Sequence, residues 1–449
     1  MDQISQVVLS LLRSALWGEK ISCPADTDWE AVTKELRMQA VLGVVAGTDL
    51  PESIPAEVRT RWEGLAMHQG LHFYHLLHDQ DELLTLLKEN GIPTVILKGM
   101  AAAVYYPSPE MRSMGDVDFL VPRGKDEQTY ELLLANGYEL FEEKDAVDKH
   151  ISFQKGEARF EMHRYFGRFD RVDAMKYMDD LLQKEMQSIE WRACSGSSFP
   201  MLSPLANGLV LLEHAAGHFR DGLGLRHILD WMMYVHSCLT DAFWNEAFQS
   251  AAQAIGLDNF AKVLTKMCQT YLGLAGDLQW CRDADDESCR QIMDYVLEQG
   301  NFGFKQMDVE GKVIRLFGRH NGLVEWCRLL QLSGMNHWGA VQRHPILKPF
   351  AWIYGIGRYL HLALGRKNAI GLVREEKKKS DQREKMYTEL GVNRSKIPVV
   401  LQDDQFVDES PVWDKRRTAP RMSAWYVRLT SGVFCYRTIL CHRPLFLLQ

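Results

Sequence analysis

The sequence has no Cys-x-x-Cys pair, no surplus of positive charge and no apolar run approaching the roughly 20 residues needed to cross a bilayer. Its nine cysteines are scattered and odd in number, which argues against a disulfide scaffold or a structural zinc site and for a reducing compartment. A formal net charge of −7 argues against a general nucleic-acid coat, because non-specific grip on phosphate backbones relies on clustered positive charge. A small basic pocket for one nucleotide remains compatible with it. The first residues, MDQISQVVLSLLRSALWGEK, carry Asp2 at once and no basic leader, so they read as an amphipathic helix rather than a signal peptide. These absences predict a soluble, cytoplasmic protein with no membrane partner.

A chain of 449 residues is too long for one ordinary core, and 46% hydrophobic with 25% charged residues is the composition of a folded protein. The texture divides it into an N-terminal helical region over 1–70, an α+β core over 71–200, a C-terminal helical domain over 201–375, and a linker and tail over 376–449. Val7, Val8, Leu11, Leu12 and Leu16 recur at helical spacing, and Thr27-Asp28 before Trp29 is a plausible cap. A helix is expected from Leu71 to Asn90, ended by Asn90-Gly91.

The core then reads strand, helix, strand, helix, hairpin: Thr94–Leu97, a turn or two through Ala101–Ala103, Asp116–Val121, roughly Lys125–Ala135, and His150–Gln154 with Ala158–His163 around Lys155-Gly156-Glu157. From Pro204 the helical texture returns, with a packed pair over Asn207–His236 broken at Gly222-Leu223-Gly224. The charge run Arg374–Lys379 marks a solvated end, and the basic cluster Lys415, Arg416, Arg417 and Arg421 lies in a tail (393–449) to which the sequence assigns no role.

The chemistry concentrates in Asp116-Val117-Asp118. Residues two apart on a strand share a face, so both carboxylates project together while Val117 and Phe119 turn to the core. Adjacent like charges are costly unless a cation neutralises them, and magnesium favours such hard oxygen ligands. Glu161 is the expected third acid: Phe160 and Met162 take one face of its strand, and Glu161 shares the other with Arg159 and His163. Its plainer alternative is a surface ion pair with Arg159 or Arg164. Upstream, Lys98 could reach a phosphate oxygen, Gly99 permits close backbone approach at a helix start, and Arg112 could hold a phosphate through two parallel hydrogen bonds.

With these residues in place, the run ILKGMAAAVYYPSPEMRSMGDVDFLV resembles the core of the uncharacterised nucleotidyltransferase family, with its Leu-Lys-Gly and Arg-x-x-x-Asp-x-Asp signatures. That family is a branch of the DNA polymerase beta-like nucleotidyltransferase superfamily. The resemblance is sharpest over residues 91–163 and does not reach the tail. It implies a small mixed-sheet core flanked by helical regions, with Gly99 matching the turn glycine and Asp116, Asp118 and Glu161 matching the metal-binding acids. The sequence departs from the superfamily in having Lys98-Gly99 where Gly-Ser is usual, and in a longer spacer to the acids.

The expected activity is magnesium-dependent transfer of a nucleoside monophosphate from a nucleoside triphosphate, ATP first among them, to a hydroxyl acceptor on a small molecule or protein, with pyrophosphate released. Two Mg²⁺ ions would be held by Asp116, Asp118 and Glu161, and Lys98, Gly99 and Arg112 would bind the nucleotide. A catalytically silent nucleotide- or partner-binding module on the same fold, and a phosphoester hydrolase using the same metals, are the alternatives. His214 and His218 lie four apart on a helix beside Glu213, with Arg226 and Asp230 further along. A zinc site there would need a third ligand, so packed or hydrogen-bonded histidines near the cleft are expected instead.

Overall fold

The computed structural model describes residues 1–141, 150–166, 172–219, 222–301, 344–364 and 381–392, together with single positions between 330 and 341 and at 378. The tail 393–449 with its basic cluster, and the run Arg374–Lys379 apart from Lys378, lie outside the described residues. The first helix, α1 (Gln3–Trp17), starts where the Asp2 carboxylate accepts the Ser5 N–H at 2.8 Å, and it buries Val7, Val8, Leu11 and Leu12. Asp28 caps α2 (Trp29–Met38) in the same way through the Glu30 and Ala31 N–H groups. A short α3 (Leu42–Ala46) then leads to α4 (Ala56–Glu89).

Helix α4 is longer than the sequence predicts. It does not begin at Leu71 but directly after Pro55, and runs unbroken for 34 residues, about 51 Å. Gly64 and Gly70 inside it each cost roughly 1 kcal/mol of intrinsic propensity. A continuous buried stripe of Val58, Trp62, Ala66, Gly70, Phe73, Leu77, Leu84 and Leu87 outweighs that cost.

Next come β1 (Val95–Leu97), α5 (Gly99–Ala103), β2 (Val117–Leu120), α6 (Asp126–Ala135), β3 (Glu139–Leu140), β4 (His150–Lys155), β5 (Ala158–His163), α7 (Val172–Glu185), β6 (Glu190–Cys194) and β7 (Ser197–Met201). All seven strands form one mixed sheet in the order β3-β4-β5-β2-β1-β7-β6. The hairpin β4–β5 was legible in the sequence. The hairpin β6–β7 was not singled out, although Ser195 and Gly196 between its strands take the positive φ values, 48° and 88°, that a two-residue turn demands.

Further described helices include α8 (Pro204–His218), α9 (Leu225–Cys238), α10 (Asp241–Phe243), α11 (Gln249–Ala254), α12 (Asp258–Leu272), α13 (Asp286–Gln299) and α14 (Ala351–Leu364), and residues 381–389 are helical too. Ser203 and Pro204 start α8, and the expected break between α8 and α9 is present. The two sheet faces feed different cores. Ile96, Phe119, Phe160 and Met162 pack with Phe73, Leu76 and Leu83 of α4. Val95, Leu97 and Leu120 join the larger core made with α1, α8, α9, α12 and α13. Because Asp118 is opposite Leu97 in the β1–β2 register, strand alternation turns its carboxylate toward that helical side.

Candidate functional site

Asp116 stands one residue before β2, and Asp118 lies within it, both on the face toward the helices. Strand β5 runs parallel to β2 with Glu161 directly beside Asp118. Carboxylate oxygens of Asp116, Asp118 and Glu161 lie within 4.8 Å of one another. Glu161 does not make the ion pair with Arg159 or Arg164 that its plainer reading offered. The Arg159 guanidinium lies 3.9 Å from the centre of the Phe141 ring, and Arg164 pairs with Asp126 at 3.8 Å.

Lys98 reaches into this cluster from the end of β1. Its ammonium is 2.6 Å from Asp118 Oδ1 and 3.9 Å from Glu161 Oε2. The backbone that delivers it is unusual for a side-chain-bearing residue, with φ 42° and ψ −130°. At Gly99 the fit is close: a Cβ there would come within 3.2 Å of the Met114 methyl, which would have to give slightly, and 3.5 Å of the Asp116 carbonyl. The helix it opens, α5, spans five residues and is buried throughout.

The electrostatics are those of an over-filled acid cluster. Burial and then the Asp118 charge push the Asp116 carboxyl up to about 6. Burial and the same neighbour push Glu161 well above the usual carboxylate range. Burial would also raise Asp118, but the Lys98 ammonium and His163 outweigh it and hold that carboxyl far below the usual range. Burial disfavours the Lys98 ammonium, and the attraction of Asp118, Glu161 and Asp116 reverses the shift and raises it. Three carboxylates around one lysine leave an unbalanced negative charge. Hard oxygen donors in that state fit a divalent cation such as Mg²⁺.

Two histidines escaped the sequence reading as members of the site. His163 Nε2 lies 2.8 Å from Asp118 Oδ1, and His150, opposite it across β4–β5, has Nε2 at 3.6 Å from Glu161 Oε1. Burial and then Lys98 push the His163 imidazole down to about 3, so it is neutral at physiological pH. The available signal was the spacing Glu161-x-His163, which puts both side chains on one strand face.

Arg112 is placed differently from its expected phosphate-holding role. It is buried, and its Nε and Nη2 each meet an Asp230 oxygen at 2.7 Å, while Nη1 turns to the Ser113 carbonyl at 3.2 Å. Tyr106 donates its hydroxyl to Asp230 at 2.8 Å. Arg226, from the first turn of α9, contacts the Ser113 carbonyl at 3.5 Å and exerts a positive field on Asp116. His214 and His218 do acquire a third imidazole, His227, with ring centres 4.6–5.1 Å apart. Burial, first of all, pushes His214 and His227 well below their ordinary range, and Arg226 and Lys98 add to the depression. The surroundings of this second cluster are therefore cationic.

Residues 25–273, more than half of the chain, match the family described as uncharacterised nucleotidyltransferase, and the chain belongs to that family. No curated protein matches it. Among solved structures, it is similar to an antigenic nucleotidyltransferase-like protein from Paracoccidioides brasiliensis, at 16% identity over 43% of this chain and 93% of that one. The TM-score of 0.28 is too low for a comparison of sites. The α+β expectation, a mixed sheet flanked by helices, stands on the sheet itself. Among the described residues no helix is long and apolar enough to cross a membrane.

Proposed function

We propose that this protein transfers a nucleoside monophosphate from a nucleoside triphosphate to a hydroxyl acceptor, using two Mg²⁺ ions held by Asp116, Asp118 and Glu161. The observation that carries the reading is the parallel β2–β5 register, which sets Glu161 beside Asp118 on the face Asp116 also shares. Bound Mg²⁺ would supply charge neutralisation and orient the triphosphate for in-line attack.

The residues of the chain divide the remaining work. Lys98 has three N–H donors, so a bond to Asp118 leaves donors for a phosphate oxygen. Arg226 adds positive potential on the Asp116 side of the cluster. Arg112 contributes through position, because both nitrogens of its fork are occupied by Asp230 and hold the segment before Asp116 against α9. The acceptor oxygen bonds to the α-phosphorus as the bond to the α–β bridging oxygen breaks. Pyrophosphate leaves, and the acceptor proton passes to a carboxylate oxygen of the cluster. Little covalent chemistry falls to the protein, so positioning and charge placement account for the rate.

The test is a thermal-shift titration of ATP, GTP, CTP and UTP, each with and without Mg²⁺, followed by pyrophosphate detection with candidate small-molecule and protein acceptors. A Mg²⁺-dependent rise in melting temperature that vanishes in Asp116→Asn/Asp118→Asn supports the reading and names the base. Orthophosphate release without acceptor labelling would favour a hydrolase. Nucleotide binding without turnover would favour a silent binding module.

A further inference from the structure

Helix α14 turns one side to the protein and an apolar side to solvent. Ala351 and Gly355, one turn apart, form the buried side. A Cβ at Gly355 would lie 2.4 Å from the Leu330 carbonyl oxygen, and one at Gly334 only 1.7 Å from the Ala351 carbonyl oxygen. Backbones therefore meet there, and the contact fixes the rotation of the helix. The Trp352 N–H donates to Gln331 Oε1 at 3.1 Å and fastens the first turn. On the other side, Phe350, which ends the turn Pro345–Phe350, and Ile353 are each more than half exposed, with Trp352 and Tyr354 exposed beside them. Phe350, Ile353, Tyr354 and the exposed Gly357 recur at the i, i+3, i+4, i+7 spacing of a single helix face. Tyr354 stacks on the half-buried Trp338 with ring centres 5.5 Å apart.

Exposed apolar surface gathered in this way marks an interaction site, and the charge around it narrows the partner. Residues 326–374 contain no Asp or Glu and seven Lys or Arg, in a chain of net charge −7. Lys348 among them is exposed, two residues before Phe350. A second copy of the chain fits this face poorly, because two cationic segments would be brought together. Nucleic acid fits poorly as well: α14 has 14 residues and one charged position, Arg358, too sparse to track a phosphate backbone. Aromatic rings and an aliphatic side chain among cations, with no acid nearby in sequence, suit a helix lying in the headgroup layer of an anionic bilayer. At 14 residues, about 21 Å, α14 is too short to cross the roughly 30 Å hydrocarbon layer. The expectation of no membrane partner came from the lack of a spanning run, and binding to a surface requires none.

We infer that α14 and the turn before it dock on an anionic lipid surface, with Phe350, Ile353 and the rings beside them entering the headgroup layer and Lys348 lying against the lipid phosphates. Helix α14 lies outside residues 25–273, which match the family, and docking needs neither metal nor nucleotide. The proposed transfer chemistry and this surface therefore stand or fall separately.

The experiment is co-sedimentation of the full chain with vesicles of phosphatidylcholine alone or mixed with phosphatidylglycerol. It compares the wild type with Phe350→Ser/Ile353→Ser, with Lys348→Glu, and with Met67→Ser/Leu71→Ser, a control on the exposed apolar side of α4. The expected result is binding to the mixed vesicles and far less to phosphatidylcholine, weakened by added salt. The partition coefficient should fall at least tenfold in Phe350→Ser/Ile353→Ser and severalfold in Lys348→Glu, and hold in the control. The substituted side chains are exposed, so the fold should be spared, and near-ultraviolet circular dichroism checks each variant. Should the serine pair disturb the fold, Lys348→Glu decides. No binding to the mixed vesicles, equal binding to both kinds, binding unchanged in Phe350→Ser/Ile353→Ser or in Lys348→Glu, or an equal loss in the control each overturns the inference. A dimer in size-exclusion chromatography that disappears in Phe350→Ser/Ile353→Ser would make a second copy the occupant and overturn it too.

Discussion

Arg112 and Asp230 form a buried ion pair with two parallel contacts, Nε to Oδ1 and Nη2 to Oδ2, each 2.7 Å long. It ties the segment leading into Asp116 to helix α9, and Tyr106 adds its hydroxyl to the same carboxylate. Removing one member of such a pair strands a desolvated charge. Asp230→Ala should therefore cost about 3–5 kcal/mol in urea unfolding, and Arg112→Met/Asp230→Ala clearly less than the sum of the two single changes. Additive losses would mean that the two groups do not depend on each other.

The acid cluster makes a pH prediction whose sign follows from the direction of the Asp116 shift. In the metal-free fold that carboxyl titrates at about 6, above its unfolded value, so the native state holds the proton more tightly. Between the unfolded and folded values the native state binds more protons, and stability falls as pH rises. Asp116→Asn removes this penalty. In chelator, the variant should exceed the wild type by about 1–3 kcal/mol at pH 8, and by clearly less at pH 5. Saturating Mg²⁺ should close the gap at pH 8. Equal unfolding midpoints at pH 8 in chelator would show that the cluster carries no such strain.

Lys98 offers a separation of backbone from charge. Its φ of 42° suits glycine, while its ammonium offsets three acids. Lys98→Ala and Lys98→Gly both lose the charge, but only alanine keeps the unfavourable φ. The glycine variant should be the more stable of the two by about 1 kcal/mol, after the larger unfolded-state entropy of glycine is counted against it. Both should depend on Mg²⁺ for stability more than the wild type does. The order alanine above glycine would place no strain at this residue.

Much of this site could be read from the sequence because it is local. Asp116 and Asp118 share a face by strand alternation, and the Gly156 turn announces the hairpin that carries Glu161. What escaped was long-range. The Lys98–Asp118 contact depends on β1 lying antiparallel to β2. Glu161 was expected beside the two aspartates, but not that β5 would run parallel next to β2 to bring it there. The partner of Arg112 is 118 residues away, so nothing near Arg112 in sequence distinguishes a phosphate-holding arginine from one bound to Asp230. The start of α4 was missed for a different reason: two interior glycines masked a stripe that only tertiary burial explains.

Gly208 tests how closely α8 must approach α9, the helix that carries Arg226 toward Asp116. A Cβ at Gly208 would fall 2.2 Å from the Tyr234 ring, and Tyr234 is pinned by its hydroxyl bond to the Pro204 carbonyl at 2.8 Å. The ring cannot yield without breaking that bond, so the helices must part. Gly208→Ala should cost about 1–3 kcal/mol, the ordinary range for overpacking, despite the better helix propensity of alanine. Gly208→Ala/Tyr234→Ala should recover part of that loss relative to Tyr234→Ala alone, because the obstructing ring is gone. If Gly208→Ala were neutral in urea unfolding while Mg²⁺-dependent nucleotide binding also stayed unchanged, α8 and α9 would not need this contact to build the site.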